Sequence, residues 1–401
     1  MVDLPVDQSL KKIKFLYRLS GMNIEDRDKN TTEKAVYMFN FLWILTDIIL
    51  ATEWGIVGFV KGLDFIEITH VLPCLNMGMV AEMKTIFLVV YEEKLKQLLR
   101  DLRDLERIRL PNNPYAKKIA DTDAKFLHSL IKMTFTVNIC LLILFNSGPL
   151  VLIAVKYYLT GKLELFLPFL DIYPFDSYDP KYWAWAYLHE VWTACIVLSE
   201  IFAVDFLFYV CCTHIGIQFK MLKRELEHLI TGKGLLADHD DQLKEKLADI
   251  VKWHQQIISC AEMLEVIYSK STLFNYISSS LIICLTGFNS MVIDDMAIVI
   301  SFFMLAVVEV LQIFFLCFFG GKLIDSSTDV SSGAYNSKWY LADIPTRKTI
   351  LLIQTRAQNP CKLTAAGFAD VHLRAFMKIL STSWSYFALL QTMYGSSKVS
   401  H

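Results

Sequence analysis

The sequence lacks the short motifs with which many enzymes build their active sites. It contains no HExxH or paired CxxC spacing for a metal ion and no GxSxG turn. It also has no phosphate-binding loop, because Gly320-Gly321-Lys322 is followed by Leu323 rather than serine or threonine. We therefore predict no catalytic residues, no metal site and no cofactor, and we do not expect an enzyme.

Charge of either sign is also scarce. Charged residues make up 20% of the chain and the formal net charge is −2, whereas a nucleic-acid-binding protein needs a basic surface. Residues 1–18 carry charges but no apolar stretch of the kind that a signal peptide contains. We expect no nucleic-acid partner, and we expect the first apolar stretch to direct membrane insertion.

Apolar residues, in contrast, are abundant and continuous. They make up 54% of the chain, and the mean hydropathy is +0.39. A helix that spans a lipid bilayer needs roughly 20 mostly apolar residues, and irregular backbone cannot face lipid. We predict an all-α polytopic membrane protein with seven transmembrane helices near residues 35–60, 65–91, 127–157, 183–212, 266–292, 295–320 and 370–395.

Lysine and arginine alternate between the two sides of these spans, and the basic side of a membrane protein is the cytoplasmic one. The alternation places the N-terminus in the cytoplasm and the C-terminus outside, the reverse of a G-protein-coupled receptor. The basic segments are 1–34, 92–125, 213–265 and 321–369. The connections on the other side hold only Lys61, then Lys162 and Lys181, then none near 291–295, and finally Lys398 in the tail 396–401.

The external connection 158–182 is rich in prolines and aromatic residues. Leu167-Pro168-Phe169, Tyr173-Pro174-Phe175-Asp176 and Pro180-Lys181-Tyr182 carry this pattern. Prolines exclude a continuous helix, and aromatic side chains are typical of the membrane interface. The segment is either an interfacial contact with lipid or a lid over a cavity.

The cytoplasmic segment 213–265 contains a heptad pattern that continues into the fifth span. We call its members the anchor seam, since spacings of three and four predict one apolar helix face. This seam packs either within the chain or on another subunit, and its histidine is expected to be a core residue. The anchor seam consists of Leu247, Ile250, His254, Ile257 and Ala261.

Residues 321–369 divide into a loop and a short helix. Glycine, serine and aspartate predict a flexible loop over 321–346, followed by an amphipathic helix over 347–358. Asn359-Pro360 ends this helix, and Gly367 separates it from the last span. The seventh helix is therefore predicted to be broken in two.

Acidic side chains deep in the spans indicate a polar interior. Asp205 and Glu309 lie far from the predicted membrane surfaces, and such residues usually face the bundle interior or water. A proton relay in a transporter would use groups of this kind, but no inverted repeat is evident between the two halves of the chain.

One face of the last span carries hydroxyl groups and then apolar residues. Such a stripe suits a pore with a hydrophobic constriction, although hydroxyls also bond back to their own helix. The pattern alone favours the structural alternative. The face consists of Lys378, Thr382, Ser385, Leu389, Thr392 and Met393.

The C-terminal residues resemble the insect odorant receptor family. The resemblance rests on Gln358-Asn359-Pro360, Leu363-Thr364-Ala365, Gly367, Phe376 and Ser385-Tyr386-Phe387-Ala388-Leu389-Leu390. The connection 158–182 is a second similar block, although Ile172 stands where these receptors often have tryptophan. Length and span pattern agree along the whole chain.

The resemblance implies a ligand-gated, non-selective cation channel that forms a hetero-tetramer with a co-receptor subunit in the cell membrane of a sensory dendrite. It implies that the cytoplasmic ends of the last four spans join the subunits, and that the seventh helix lines the pore for permeant cations. It places the gate at Leu389 and Met393, with Ser385 and Thr392 on the pore wall.

The resemblance also implies a pocket for a small volatile organic ligand among spans two, three, four and six, in the outer half of the membrane. Mapping this pocket by depth selects ten residues. The pocket candidates are His70, Val71, Cys74, Phe145, Asn146, Gly148, Trp192, Thr193, Phe302 and Phe303. Two alternatives stay open: a gustatory-type ligand-gated channel and a membrane transporter.

The predicted orientation can be tested with epitope tags. A tag after His401 is expected to bind antibody on intact cells, because an odd number of spans separates the two termini. A tag before Met1 should bind only after the cells are permeabilised. Labelling in the opposite order would contradict the orientation.

Overall fold

The computed structural model describes residues 4–25, 29–62, 65–111, 114–168, 173–230, 237–293 and 296–399. These residues form ten α-helices and one short 3-10 helix, Trp339–Leu341, with no β-strand among them. The helices are α1 Pro5–Leu19, α2 Thr31–Lys61, α3 Phe65–Val90, α4 Glu92–Arg109, α5 Pro114–Thr160, α6 Trp183–Glu227, α7 Ala237–Val292, α8 Met296–Tyr335, α9 Ile344–Ala357 and α10 Leu373–Val399.

Seven of these helices account for the predicted spans. By length and composition, α2, α3 and α5 to α8 are apolar enough to cross a membrane. Helix α10 accounts for the seventh predicted span. Serine, threonine and lysine lie between its apolar residues. The prediction of an all-α protein with seven transmembrane helices is confirmed. The heptad pattern of 213–265 likewise continues into the fifth span within one helix, α7.

Helix α6 forms the centre of the bundle. Its residues are buried almost continuously from Ile196 to Phe219, and it packs against α1, α2, α3, α4, α5, α7 and α8. A helix that is apolar on all sides is typical of such a buried position. The longest of these contacts runs along α8.

Helix α1 is a structural element that was not predicted from the sequence. Pro5 begins it, and one face packs against α4, α5 and α6. The Tyr17 hydroxyl donates to the carbonyl of Ala203 on α6 at 3.0 Å. A buried polar cluster adds to this contact, since His214 Nδ1 lies 2.7 Å from Glu106 Oε1 and His214 Nε2 lies 3.0 Å from Ser9 Oγ.

The loop predicted over residues 321–346 is wrong for its first part, because α8 continues to Tyr335. The small residues in this segment allow two helices to pack closely, and they do not form a turn. A Cβ on Gly333 would lie 2.8 Å from the backbone oxygen of Lys223 on α6, and Ser326 lies against Gly216. The hydroxyl of Ser326 bonds back to the carbonyl of Lys322 at 2.7 Å, so it does not break the helix.

The anchor seam packs within the chain. Leu247, Ile250, His254, Ile257 and Ala261 are all buried, and α7 contacts α4 and α6. The ring of His254 meets Phe219 edge-on at 6.2 Å. Burial, with a smaller effect of Arg356, lowers the pKa of His254 to about 4, so the ring is neutral at pH 7. A contact of this seam with another subunit stays a prediction.

The chain between α9 and α10 is not helical and folds onto α7 and α8. Thr364 pairs with Asp370 in an isolated antiparallel bridge, and Gly367 has a φ of +79°. The carboxylate of Glu265 on α7 accepts from the Thr364 amide at 2.6 Å and also from its hydroxyl. These contacts separate α9 from α10, as the broken seventh helix requires.

Gly320 on α8 is the point of closest approach to this connection. A Cβ there would lie 2.3 Å from the backbone oxygen of Val371, whereas a Cβ on Gly321 would meet nothing nearer than 3.9 Å. We expect Gly320→Ala to destabilise the protein by about 1–3 kcal/mol through overpacking. Thermal unfolding in detergent measures this loss.

Gly321→Ala is the matched control, because both changes share the same gain in helix propensity. Equal melting temperatures for the two variants would show that the α8 contact with Val371 does not constrain the connection.

Candidate functional site

A cavity of about 90 Å³ lies within the helix bundle among α2, α3, α5, α6 and α8. Thr193 lines it roughly 15 Å along α6 from Trp183, about half the thickness of a bilayer core. The lining is mostly apolar, as is typical of pockets for small molecules. The lining residues are Asp47, Cys74, Met77, Gly78, Asn138, Leu141, Leu142, Phe145, Thr193, Ala194, Val197, Leu198, Met304, Leu305 and Val308.

The polar side chains of this cavity differ in their hydrogen bonding. The Thr193 hydroxyl accepts from Trp43 Nε1 at 3.1 Å and donates to the carbonyl of His189 at 3.0 Å. Asn138 donates from Nδ2 to the carbonyl of Thr134 at 2.8 Å, but its Oδ1 atom is buried without a hydrogen-bond partner. The wall of the cavity therefore includes a hydroxyl with both of its roles filled and an asparagine whose buried amide oxygen has no hydrogen-bond partner.

A larger cleft of about 290 Å³ lies among α4 to α7, outside the predicted spans. Its wall is charged, with Arg109, Arg224 and Lys246 beside acidic residues. Arg109 holds Asp249 through two contacts of 2.5 and 2.8 Å. This cleft suits a polar ligand in water, whereas the 90 Å³ cavity suits an apolar one.

Three of the ten predicted pocket residues line the cavity: Cys74, Phe145 and Thr193. Val71, Asn146 and Phe302 are buried elsewhere. Gly148 has no atom within 4 Å of a Cβ built on it, and Trp192 and Phe303 are 43% and 64% exposed. The side chain of His70 lies outside the described part of the chain.

The predicted residues miss the cavity in a consistent direction. The cavity uses 74–78 rather than 70–74 on α3, 138–145 rather than 145–148 on α5, and 304–308 rather than 302–303 on α8. Each shift is about one helical turn, roughly 5 Å, towards the middle of the bundle. Asn138 is a polar side chain within a predicted span, and it is the sequence feature that marks the depth of this cavity.

The connection 158–182 lies against the helix ends nearest the cavity. Its described residue Tyr173 places its hydroxyl 3.2 Å from His189 Nδ1. The ring of His189 stacks on Trp43 at 4.9 Å, and Trp43 donates to Thr193 in the cavity wall. A continuous set of contacts therefore joins this connection to the cavity. Residues 169–172, including Phe169 and Ile172, lie outside the described part of the chain.

A buried ion pair lies about two helical turns beyond the cavity. Lys84 on α3 lies 2.7 Å from Asp205 on α6, and both side chains are 3% exposed. Gln312 on α8 donates to the second oxygen of Asp205, also at 2.7 Å. Asp205 thus has a cation and an amide as partners. Lys84 was not predicted as part of the polar interior, which was expected from acidic residues alone.

Glu309, the other deep acidic residue, joins α8 to α7. It is 2% exposed and accepts a hydrogen bond from the hydroxyl of Ser279. The polar interior that the sequence predicted is therefore made of side-chain contacts between helices. Among the described residues, no three histidine, cysteine, aspartate or glutamate side chains are arranged to hold a metal ion.

Helix α10 has one packed face and one open face. Phe387 and Leu390 pack against Cys284 and Phe288 of α7. The four predicted pore residues lie on the open face, where Leu389 and Met393 are 56% and 63% exposed and Ser385 and Thr392 are also exposed. The hydroxyls of Ser385 and Thr392 bond back to Ser381 and Ala388, at 3.0 and 2.7 Å.

Together, seven membrane-spanning helices with an apolar cavity among them define a multi-pass membrane protein. Residues 64–384 match the family described as 7tm Odorant receptor, so the chain belongs to this family. The family consists of receptors, and the chain is accordingly a receptor rather than an enzyme.

Individual relatives agree with this assignment. The chain is 27% identical to Odorant receptor 13a of Drosophila melanogaster, over 87% of this chain and 82% of that protein. It is 26% identical to Odorant receptor 67c of the same organism, over 82% and 80% of the two chains. Its fold is similar to that of the olfactory receptor OR5 from Machilis hrabei in complex with eugenol, with a TM-score of 0.80, 18% identity and coverage of 97% and 98%.

The ion pair beneath the cavity can be tested by removing one partner. We expect Lys84→Met to destabilise the protein by about 3–5 kcal/mol, because Asp205 would stay buried without its cation. The double variant Lys84→Met with Asp205→Leu should recover most of this loss. Melting temperatures of the purified protein in detergent measure both effects.

Lys220→Met is the control, since the Lys220–Asp123 pair is partly exposed, at 35% and 16%, and should contribute at most about 1 kcal/mol. If the melting temperature of Lys84→Met is no lower than that of Lys220→Met, the buried pair does not stabilise the bundle.

Proposed function

We propose that the chain is an odorant receptor subunit that binds a small volatile ligand within the membrane and gates a non-selective cation pore together with a co-receptor. The observation that carries the proposal is the apolar cavity among α2, α3, α5, α6 and α8, in a chain of the odorant receptor family. The receptor OR5 from Machilis hrabei, which shares the fold, was solved with eugenol.

The chemistry of the cavity supports a small, mostly apolar ligand. Burial of apolar surface contributes about 25 cal/mol per Å², so a volatile compound gains affinity from contact with Met77, Leu142 and Val308. The volume of about 90 Å³ is smaller than the roughly 150 Å³ of an engineered cavity that binds benzene. Met77 and Met304, which are flexible, can move to admit a larger ligand.

The open face of α10 supports its assignment to the pore. Leu389 and Met393 are large apolar side chains, 56% and 63% exposed, one turn apart on the same face. In an assembly of subunits, such side chains can form a hydrophobic constriction that closes a pore by excluding water. The hydroxyls of Ser385 and Thr392 would line the adjacent wetted part.

Helix α7 supplies a physical connection between cavity and pore. Val308 lines the cavity, and the adjacent Glu309 accepts from Ser279 on α7. Further along α7, Cys284 and Phe288 pack on Phe387 of α10. A ligand that moves α8 would therefore shift α7 and, through it, the helix that carries Leu389.

Assembly with other subunits is supported by apolar residues that the chain leaves uncovered outside its predicted spans. Ile344, Leu351, Leu352 and Phe368 are between 60% and 82% exposed on α9 and the connection after it. Apolar surface of this kind marks a protein contact. We propose that it contacts a co-receptor subunit, on the cytoplasmic side that the lysine and arginine pattern indicates.

The proposal is tested by expressing the chain with an odorant co-receptor in cells that lack other receptors, and recording current during application of a panel of volatiles. A ligand-evoked cation current that requires both subunits is expected. Uptake of a substrate without such a current would contradict the proposal and favour a transporter.

In the same recordings, Leu389→Ala should raise the basal current, because a smaller side chain lowers the barrier to water in the constriction. Leu144→Ala is the matched control, since Leu144 on α5 is also 56% exposed but lies away from α10. An unchanged basal current in Leu389→Ala would contradict the position of the gate.

A further inference from the structure

Asn138 is a polar side chain in an otherwise apolar part of α5. It lines the 90 Å³ cavity, is 4% exposed, and has an Oδ1 atom without a hydrogen-bond partner. A buried acceptor that is left without a donor costs free energy, and most such groups in folded proteins are paired. A donor on a bound ligand would remove this cost.

The remaining polar groups of the cavity favour the same kind of ligand. The hydrogen of the Thr193 hydroxyl is already donated to His189, so this group offers a ligand no free donor. The Nδ2 atom of Asn138 is engaged with Thr134. Asp47 contributes carboxylate oxygens, which only accept when ionised. The cavity is thus richer in acceptors than in donors.

We propose that this cavity selects small volatile compounds that carry one neutral hydroxyl, alcohols or phenols, which donate a hydrogen bond to Asn138 Oδ1. The inference rests on the proposed function and specifies its ligand class. The apolar lining takes up the hydrocarbon part of the ligand, and the single amide oxygen fixes its orientation.

The expected selectivity between ligands follows from the free energy that one buried hydrogen bond contributes to binding. A net contribution typical of buried hydrogen bonds corresponds to about two- to twelvefold in affinity. An ether of the same composition fills the same volume but cannot donate, so it leaves Oδ1 unpaired. A site built around such a bond discriminates against analogues that lack the donor.

Asn146 provides a matched control on the same helix. It is also buried, its Nδ2 atom donates to the carbonyl four residues earlier, and its Oδ1 atom is likewise unpaired. Unlike Asn138, it does not line the cavity. Asn138→Leu and Asn146→Leu therefore remove the same chemistry from the same helix, and only the first changes the cavity.

The experiment measures half-maximal concentrations for current in cells that express the chain with a co-receptor. The probes are isomeric alcohol and ether pairs, such as hexan-1-ol with methyl pentyl ether and benzyl alcohol with anisole, and hexylamine as a cationic donor. In the unmodified receptor, the alcohol of each active pair should be about two- to twelvefold more potent than the ether. Asn138→Leu should bring this ratio close to one without weakening the ether, and Asn146→Leu should leave the ratio unchanged.

The response of Asn138→Leu to the ether, together with surface labelling, separates a loss of selectivity from a loss of folding. If this variant does not reach the surface, Asn138→Ala takes its place. Equal potency of alcohol and ether in the unmodified receptor, or an unchanged ratio in the Asn138 variant, would overturn the inference. Greater potency of hexylamine would also overturn it, because Asp47 would then direct recognition. An unmodified receptor that gives no current with any volatile would contradict the proposed function itself.

Discussion

The structure depends on the burial of α6, because neighbouring helices in lipid gain little from the hydrophobic effect and associate through close packing and polar contacts. Helix α6 provides both. Gly216 and the backbone of Lys223 allow α8 to approach, and Asp205 holds Lys84 of α3. Its carbonyls at Ala203 and Val204 accept from the hydroxyls of Tyr17 and Tyr268, each at 3.0 Å. Because each of these helices contacts α6, their positions relative to one another are fixed, even where two of them do not contact each other.

The position of the cavity follows from this arrangement. Its walls combine the firmly packed α6 with α5 and α8, whose faces are partly exposed. Beyond it, Gln312 of α8 donates to Asp205 of α6 at 2.7 Å, which joins the two helices directly. A ligand would therefore press on α5 and α8 more readily than on α6. Helix α8 also contacts α7, through Glu309 and Ser279.

Long apolar runs made the spans and the fold class predictable, since few structures can satisfy the backbone in lipid. Features that depend on contacts between distant residues were not predictable in the same way. Gly333 and Ser326 have the composition of a loop, and only the presence of α6 shows that they pack there. The helical spacing of Val6, Leu10, Ile13 and Tyr17 does indicate α1. A helix this short, however, is stable only when it packs against other helices. The sequence contains no periodic signal for the depth of the cavity within the spans. For this reason, the predicted pocket residues on α3, α5 and α8 lie about one helical turn from the residues that line it.

The contacts of α1 constrain the order in which the chain reaches its native state during synthesis. Tyr17 and Ser9 bind Ala203 and His214, which the ribosome adds about 200 residues later, or roughly 10–40 s later at 5–20 residues per second. During that interval the apolar face of α1 lacks α6, one of the three helices that cover it. Helix α1 can therefore complete its native contacts only after α6 has been made.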